Sequence, residues 1–121
     1  MAFTVEDRRA ALAAAIVDQG VPVADSWGQR QPPFALIFGD GSDVTPRGGS
    51  IAWRFRVTGV LAAVTDQVAL SGMDALSWSL ILAGWEVAGF TVDNLGPVVV
   101  RDLSGAAHYT VDMNVTTTVD F

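Results

Sequence analysis

IAWRFRVT, at residues 51–58, is the stretch of the sequence that decides the fold class. Apolar and polar residues alternate strictly along it, which places Ile51, Trp53, Phe55 and Val57 on one face. This alternation predicts a strand with one buried and one polar face, which is typical of an antiparallel sheet. The apolar face needs a second layer to cover it, and helices elsewhere in the chain are the natural cover.

Two helices are predicted to supply that layer. The first starts after Thr4, an N-cap residue, and stops before Gly20. The second is longer: it starts at Thr65 or Asp66 and ends near Ala88, with Gly89 as its stop. At about 100° per residue, one stripe of this helix is apolar and is expected to pack on the sheet; it contains Ala69, Met73, Leu76, Leu80, Ala83 and Val87.

The remaining apolar segments are short and are predicted to be further strands. Phe34–Phe38 is ended by Gly39, and Phe90–Asp93 is separated from Val98–Arg101 by a turn at Asn94–Pro97. After a turn at Ser104-Gly105, the last strand carries Tyr109, Val111, Met113, Val115 and Val119 on one face. The 121 residues are therefore expected to form a single α+β domain, residues 1–121. It has an antiparallel sheet of about four main strands, with an N-terminal helix and one long helix packed on it.

The composition points to self-association. Half of the residues are hydrophobic and only 17% are charged, so a domain of this size has more apolar surface than its core can hold. The net charge of −6 argues against tight binding to nucleic acid. No apolar run reaches the roughly 20 residues that a membrane span needs, and the charged N-terminus is unlike a signal peptide. We therefore expect assembly in the cytoplasm.

The outer face of the long helix is unexpectedly apolar in its second half. Trp78, Ile81 and Trp85 lie opposite the core stripe, so the helix needs cover on both sides. Either the N-terminal helix of the same chain covers them, or another subunit does, since tryptophan is enriched in interfaces. Both interpretations remain open at the level of the sequence.

Two long loops rich in glycine are candidates for contacts with partners. The first covers Asp25 to Pro33 and contains Trp27 and Arg30; the second covers Gly39 to Gly49. The second loop contains Asp40, Asp43 and Arg47. Loops longer than connection requires are often functional.

No catalytic, cofactor-binding or metal-binding set of residues is predicted, and the chain is expected not to be an enzyme. It has no cysteine, and His108 is its one histidine. Asp40-Gly41-Ser42-Asp43 begins like a calcium loop, but Ile51 stands where the final carboxylate is required. Arg54 and Arg56 are expected to pair across strands with acids such as Asp112.

The order of these elements resembles the tail terminator and related tail-completion proteins of long-tailed bacteriophages. The resemblance covers most of the chain as a succession of pieces and includes no invariant motif. The pieces are Arg8, Arg9 and Leu12 in the first helix, Gly20–Val23, Pro32–Ile37, Trp53–Val57, Ala83–Phe90, Val92–Val100 with Gly96-Pro97, and Ala107-His108-Tyr109.

The resemblance implies a structural virion protein at the neck-proximal end of the tail. Copies of the chain would form a ring, expected to have six subunits, that caps the tail tube, stops its polymerisation and joins the tail to the capsid neck. The implied partners are the chain itself, the tail tube protein and the head–tail connector or neck protein, with no membrane. Genomic DNA would pass transiently through the lumen, and an acidic subunit suits that passage.

Three alternatives follow from the same sequence. Another neck or tail-completion protein has a similar order of elements. A small-ligand-binding α+β module would have a cavity between sheet and helices, lined by Trp53, Phe55 and Tyr109. An enzyme that uses Asp or Arg ranks last, because no polar cluster can be localised in the sequence.

Overall fold

A computed structural model describes residues 4–24, 33–42, 50–63, 69–103 and 105–120 of the chain. Within these ranges, two helices lie on an antiparallel sheet, so the α+β class is confirmed. The described elements, in chain order, are α1 (Val5–Asp18), β1 (Phe34–Ser42), β2 (Ser50–Ala63), α2 (Ala69–Glu86), β3 (Phe90–Leu95), β4 (Val99–Leu103) and β5 (Ala106–Asp120).

Helix α1 begins and ends where its sequence predicts. Thr4 caps it, and its hydroxyl accepts a hydrogen bond from the backbone N–H of Asp7 while the Asp7 carboxylate accepts one from the backbone N–H of Thr4. Gly20 follows the helix with φ of +84°, a conformation that glycine adopts without strain. Leu12 and Ile16 are fully buried and anchor the helix in the core.

The sheet has the order β1-β2-β5-β3, and β4 also pairs with β5. Strand β3 pairs with Val115 and its neighbours, whereas β4 pairs with the earlier part of β5 around Thr110. Strands β3 and β4 therefore lie end to end along one edge of β5. Five strands are described in the sheet, and because β3 and β4 share one edge of β5 the sheet is four strands wide. This width agrees with the prediction of about four main strands.

Two predicted boundaries of strands and turns are wrong. Residues 94–97 do not reverse the chain: Asn94 and Leu95 belong to β3, and the chain continues into β4 along the same edge. The Gly96 N–H donates to the Asp112 carbonyl at 2.7 Å, so the short segment between β3 and β4 also stays hydrogen-bonded to β5. Strand β1 does not stop at Gly39 but continues to Ser42, with a change of register between these two residues.

The main core lies between the two helices and one face of the sheet, which we call the inner face. Phe55 and Val57 of β2 and Val111, Met113 and Val115 of β5 are fully buried in it. Met73, Leu76, Leu80 and Ala83 of α2 are buried against them, which confirms the predicted stripe. The predicted start of α2 at Thr65 or Asp66 lies outside the described residues, and the helix ends at Glu86, two residues before Ala88.

Glycines allow α2 to lie close to the sheet. A Cβ atom on Gly84 would stand 2.6 Å from Cγ2 of Val92, and one on Gly59 would stand 3.0 Å from methyl groups of both Leu76 and Leu80. The first separation is too short for two carbon atoms, so Gly84 has no room for a side chain unless Val92 moves; the second is tight, and a side chain at Gly59 would require the leucine methyl groups to shift. The helix and the sheet approach each other at the two places where a side chain is absent.

The opposite, or outer, face of the sheet has a second, smaller core near β1. Phe34 and Leu36 of β1 are buried there with Val60 of β2 and Ala24. The backbone around Val23 forms a short parallel bridge to Ala35, which places Ala24 over this cluster. The rest of the outer face is polar. Among the described residues no helix is long and apolar enough to cross a membrane.

Candidate assembly surfaces

The outer face of α2 exposes two tryptophans. Trp78 is 55% exposed and Trp85 is 63% exposed, and their rings meet edge to face with centroids 5.9 Å apart. Ile81, which lies between them on the helix, is partly buried and packs against the main core. The indoles thus contact each other while most of their surface faces outward, an arrangement that is uncommon in a domain that works alone.

Helix α1 does not cover these indoles, so the interpretation of cover within the chain is wrong for Trp78 and Trp85. The two helices do contact each other, and Gln19 Nε2 donates to Glu86 Oε1 at 2.7 Å. However, Leu12 and Ile16 direct α1 into the same core that the other side of α2 enters. The helices therefore lie side by side on the sheet, and the outer stripe of α2 is left open.

The edge formed by β4 is a second exposed apolar surface. Val98, Val99 and Val100 are 43%, 41% and 54% exposed, and β4 pairs with a neighbour along one side only, through β5. The apolar run predicts a strand here, but its exposure is not among the predictions. Three consecutive valines after Pro97 were the available signal, because a strand buried on one face alternates and this one does not. An apolar edge of this kind favours association.

The polar part of the outer sheet face carries two arginines on neighbouring positions of β2. Arg54 is exposed, and it lies opposite Thr116 of β5. The Arg56 guanidinium lies over the ring of Phe38, 4.9 Å from its centroid, and its Nε is buried without a hydrogen-bond partner among the described residues. This face therefore presents cationic groups in a chain that is acidic overall.

Asp112 is bound by Arg101 of β4, so the predicted pairing with Arg54 or Arg56 is wrong. Arg101 donates two hydrogen bonds to the carboxylate, at 3.0 and 2.6 Å, and the Thr58 hydroxyl donates a third at 2.6 Å. The register explains the difference, because Asp112 lies opposite Thr58 whereas Arg56 lies opposite Asn114.

These bonds also determine the ionisation of Asp112. Partial burial by itself would raise the pKa of the carboxyl group. The hydrogen bonds from Arg101 and Thr58, with the positive charges of Arg101 and Arg56, outweigh burial and place the pKa of Asp112 below its ordinary value. The same hydrogen bond raises the pKa of Arg101. The pair is a structural ion pair that ties β4 to the centre of the sheet.

The two predicted contact loops lie mostly outside the described residues. Trp27, Arg30, Asp43 and Arg47 are among the residues that the structure does not describe. Asp40 has a described backbone within β1, but its side chain is outside the described part. These five residues stay predictions, except that the beginning of the second loop, from Gly39 to Ser42, is a strand.

The residues named for a ligand-binding cavity lie in or against the main core. Phe55 is fully buried, and Trp53 and Tyr109 pack against the main core. A cavity of about 250 Å³ lies elsewhere, between α1 and β1, and its lining includes Glu6, Arg9, Val23 and Ile37. Among the described lining residues the one cationic side chain is Arg9. Its guanidinium already donates to the Ile37 carbonyl and lies 5.4 Å from the Phe55 ring centroid.

Other titratable groups form no cluster in the part of the chain that the structure describes. Nδ1 of His108 lies 3.0 Å from the Ala106 carbonyl oxygen, at the start of β5. No three histidine or carboxylate side chains converge within the described ranges. The features with exposed, unusual chemistry are thus the indole stripe of α2, the valine edge of β4 and the arginines of the outer sheet face.

Comparison of the sequence with known protein families and with characterised proteins found no match.

Proposed function

We propose that the chain is a structural protein that works as a ring of copies, and specifically that it is a phage tail terminator. The ring caps the tail tube, stops its polymerisation and joins the tail to the capsid neck. The observation that carries the proposal is the exposed pair Trp78 and Trp85, which lie on a helix whose other side already fills the core. The order of elements along the sequence, which resembles that family, gives the specific role.

The size of the exposed apolar surface supports assembly. Fully buried aromatic side chains contribute about 150–250 Å² each, so exposures of 55% and 63% leave roughly 180–300 Å² of indole surface open. The valine edge of β4 adds to this on another part of the domain. The indole surface alone approaches the lower end of the range, about 300–600 Å², at which a contiguous apolar patch is often functional.

The charge of the chain supports a role around passing DNA. A subunit with net charge −6 has little attraction for phosphate, so a lumen made from its copies would not hold the genome back. The proposed mechanism needs no catalysis. It depends on the fit of one ring face to the end of the tube and of the other face to the neck.

Electron microscopy of lysates that lack this gene product tests the proposal. Overlong tails without capsids are the expected result, because tube polymerisation would continue without a cap. Supplying the wild-type protein from a plasmid should restore both tail length and joining. Tails of normal length that fail to join heads would assign the chain to tail completion or the neck, and unaltered virions would overturn the phage-tail role.

A further inference from the structure

Charge is distributed unequally between the two sides of the domain. On the helical side, the described residues include five exposed carboxylates, on Glu6, Asp7, Asp18, Asp74 and Glu86. The described arginines of that side, Arg8 and Arg9, are bound to backbone carbonyls: Arg8 donates to those of Thr118 and Ala88, and Arg9, although exposed, donates to that of Ile37. The helical side therefore presents five exposed carboxylates, of which Asp74 lies on the indole stripe.

The outer sheet face differs in that it presents two arginines without an ion-pair partner among the described residues. Arg54 and Arg56 project from the same face of β2, two residues apart, and neither forms an ion pair with a described carboxylate. The described acids of this face are already engaged: Arg101 and Thr58 donate to Asp112, and the Thr116 hydroxyl donates to Asp93. A face with two available guanidinium groups thus lies on the far side of the domain from the indoles.

From this complementarity we infer that the helical side of one copy docks on the outer sheet face of the next copy. Asp74, Trp78 and Trp85 of one chain meet Arg54 and Arg56 of its neighbour. Asp74 lies on the same stripe of α2 as the two indoles, at about 100° per residue, so one strip offers a carboxylate and two aromatic faces. Guanidinium groups bind both of these, by ion pairing and by stacking on indole.

The dimensions of the two surfaces are compatible. Eleven residues separate Asp74 from Trp85, which is about 16 Å along a helix. The two arginines are spaced by about 7 Å along the strand, so they fit within the stripe and can contact an indole each. A standard interface buries about 800 Å² on each partner. The indoles therefore supply its apolar centre, and the surrounding helix and strand surface supplies the rim.

A second copy of this chain is a better occupant than a symmetric partner helix. Packing two α2 stripes against each other would give neither Asp74 carboxylate a cationic partner, because the described part of this stripe carries no arginine, whereas the outer sheet face offers Arg54 and Arg56. A contact between opposite sides of the domain uses two different patches, and repetition of such a contact gives rings when the rotation closes. The inference rests on the proposed function and adds to it the surfaces that join neighbouring subunits.

Mixing of two face variants tests the inference by sedimentation velocity over a range of concentrations. The helix-face variant is Trp78→Ala/Trp85→Ala, and the sheet-face variant is Arg54→Ala/Arg56→Ala. Wild-type protein is expected to form complexes larger than dimers, and each variant alone is expected to be monomeric. An equimolar mixture is expected to stop at a 1:1 dimer, because only one pair of intact faces remains.

Matched controls separate loss of contact from loss of fold. Val17→Ala removes an equally exposed apolar side chain from α1 and is expected to assemble as the wild type does. Circular dichroism and thermal unfolding check each variant. If Arg54→Ala/Arg56→Ala does not fold, because Arg56 packs on Phe38, then Arg54→Glu alone serves as the sheet-face variant.

The contradicting results are distinct for the contact and for the function. Monomeric wild-type protein, assembly by a face variant alone, or a mixture that either stays monomeric or grows past dimers would overturn the contact. If both face variants assemble while lysates lacking the gene product contain overlong tails, the contact is wrong and the tail role stands. If the mixing result is as expected while such lysates contain unaltered virions, the contact stands and the tail role is wrong.

Discussion

At the scale of single residues, position in the sheet decides what each charged group does. Asp112 and Arg56 both lie on the outer face, yet Asp112 receives three hydrogen bonds and the Arg56 Nε receives no partner among the described residues. The difference follows from β4, which brings Arg101 to one end of that face only. One carboxylate is therefore used to hold the fold, whereas Arg54 is exposed and Arg56 stacks on Phe38 without an ion-pair partner among the described residues.

Asp112→Asn is expected to lower the free energy of unfolding at pH 7 by about 1–2 kcal/mol, the range for partly exposed charged hydrogen bonds. The folded-state pKa of Asp112 lies below its unfolded-state value, which is about 3.9 for aspartate. The ionised carboxylate therefore stabilises the fold above that pH, and its contribution is lost as the pH falls through the folded-state pKa. Urea unfolding at pH 7 and near pH 3 measures both effects.

The matched control is Asp102→Asn, which removes an exposed carboxylate next to Arg101 on β4. It is expected to change the free energy of unfolding by less than about 0.5 kcal/mol. An Asp112→Asn variant as stable as the wild type at pH 7 would contradict the role assigned to the pair. An equal loss at both pH values would contradict the role of the carboxylate's ionisation.

At the scale of elements, close approach between α2 and the sheet determines which side of the helix remains outside. Gly84 faces Val92, and Gly59 faces Leu76 and Leu80, so the helix settles onto the inner face of the sheet. Helix α1 enters the same core beside α2. Because both helices pack on the sheet, α1 does not lie over the outer stripe of α2, and Trp78 and Trp85 stay exposed.

Gly84→Ala is expected to lower the free energy of unfolding by about 1 kcal/mol. Overpacking costs about 1–3 kcal/mol, and the higher helix propensity of alanine returns about 1 kcal/mol. The added methyl would stand 2.6 Å from Cγ2 of Val92, a stiff β-branched side chain. Chemical unfolding of the purified variant measures the change.

The Val92→Ala background provides the control for this contact. In that background the clash is removed, so Gly84→Ala is expected to be neutral or stabilising through helix propensity alone. A penalty of the same size in both backgrounds would show that the close approach to Val92 is not its cause.

At the scale of the whole molecule, the difference between the helical side and the outer sheet face is the feature that bears on assembly. The domain is two layers thick: one side exposes the indoles and Asp74, and the other exposes Arg54 and Arg56, which have no ion-pair partner among the described residues. Two different faces on one chain let each copy bind two neighbours, which a single self-complementary patch cannot do. The valine edge of β4 is exposed at the edge of the sheet and is a candidate contact for the tube or the neck in the proposed ring.

Charge reversal offers a prediction at this scale. Asp74→Arg and Arg54→Glu are each expected to weaken self-association at least tenfold, because each places like charges across the contact; tenfold corresponds to about 1.4 kcal/mol. An equimolar mixture of the two chains is expected to regain wild-type assembly. In the mixture the two reversed faces match each other and the two unaltered faces do the same, and sedimentation velocity measures the sizes.

Val17→Ala is again the control for exposed substitutions, and it should leave the size distribution unchanged. Because the contacts involve exposed charges, assembly of the wild type should also weaken as salt is raised. Reversed chains that assemble separately as well as they do in the mixture would contradict the proposed pairing of faces.

Short-range patterns in the sequence determined most of the fold. The alternation in residues 51–58 specified a strand with one buried face, and Phe55 and Val57 are fully buried. Thr4 and Gly20 specified the limits of α1, and the apolar stripe of α2 specified its packing side. Such features depend on capping and periodicity within about 15 residues, so they can be predicted without knowledge of the partner element.

Only the tertiary structure decided how distant segments meet. The register between β2 and β5 placed Asp112 opposite Thr58, and the end-to-end arrangement of β3 and β4 brought Arg101 to it. Side-by-side packing of the helices left Trp78 and Trp85 exposed, where the sequence allowed either cover or contact. Local patterns cannot specify such pairings, because they depend on register and on the paths of long connections, which no window of neighbouring residues contains.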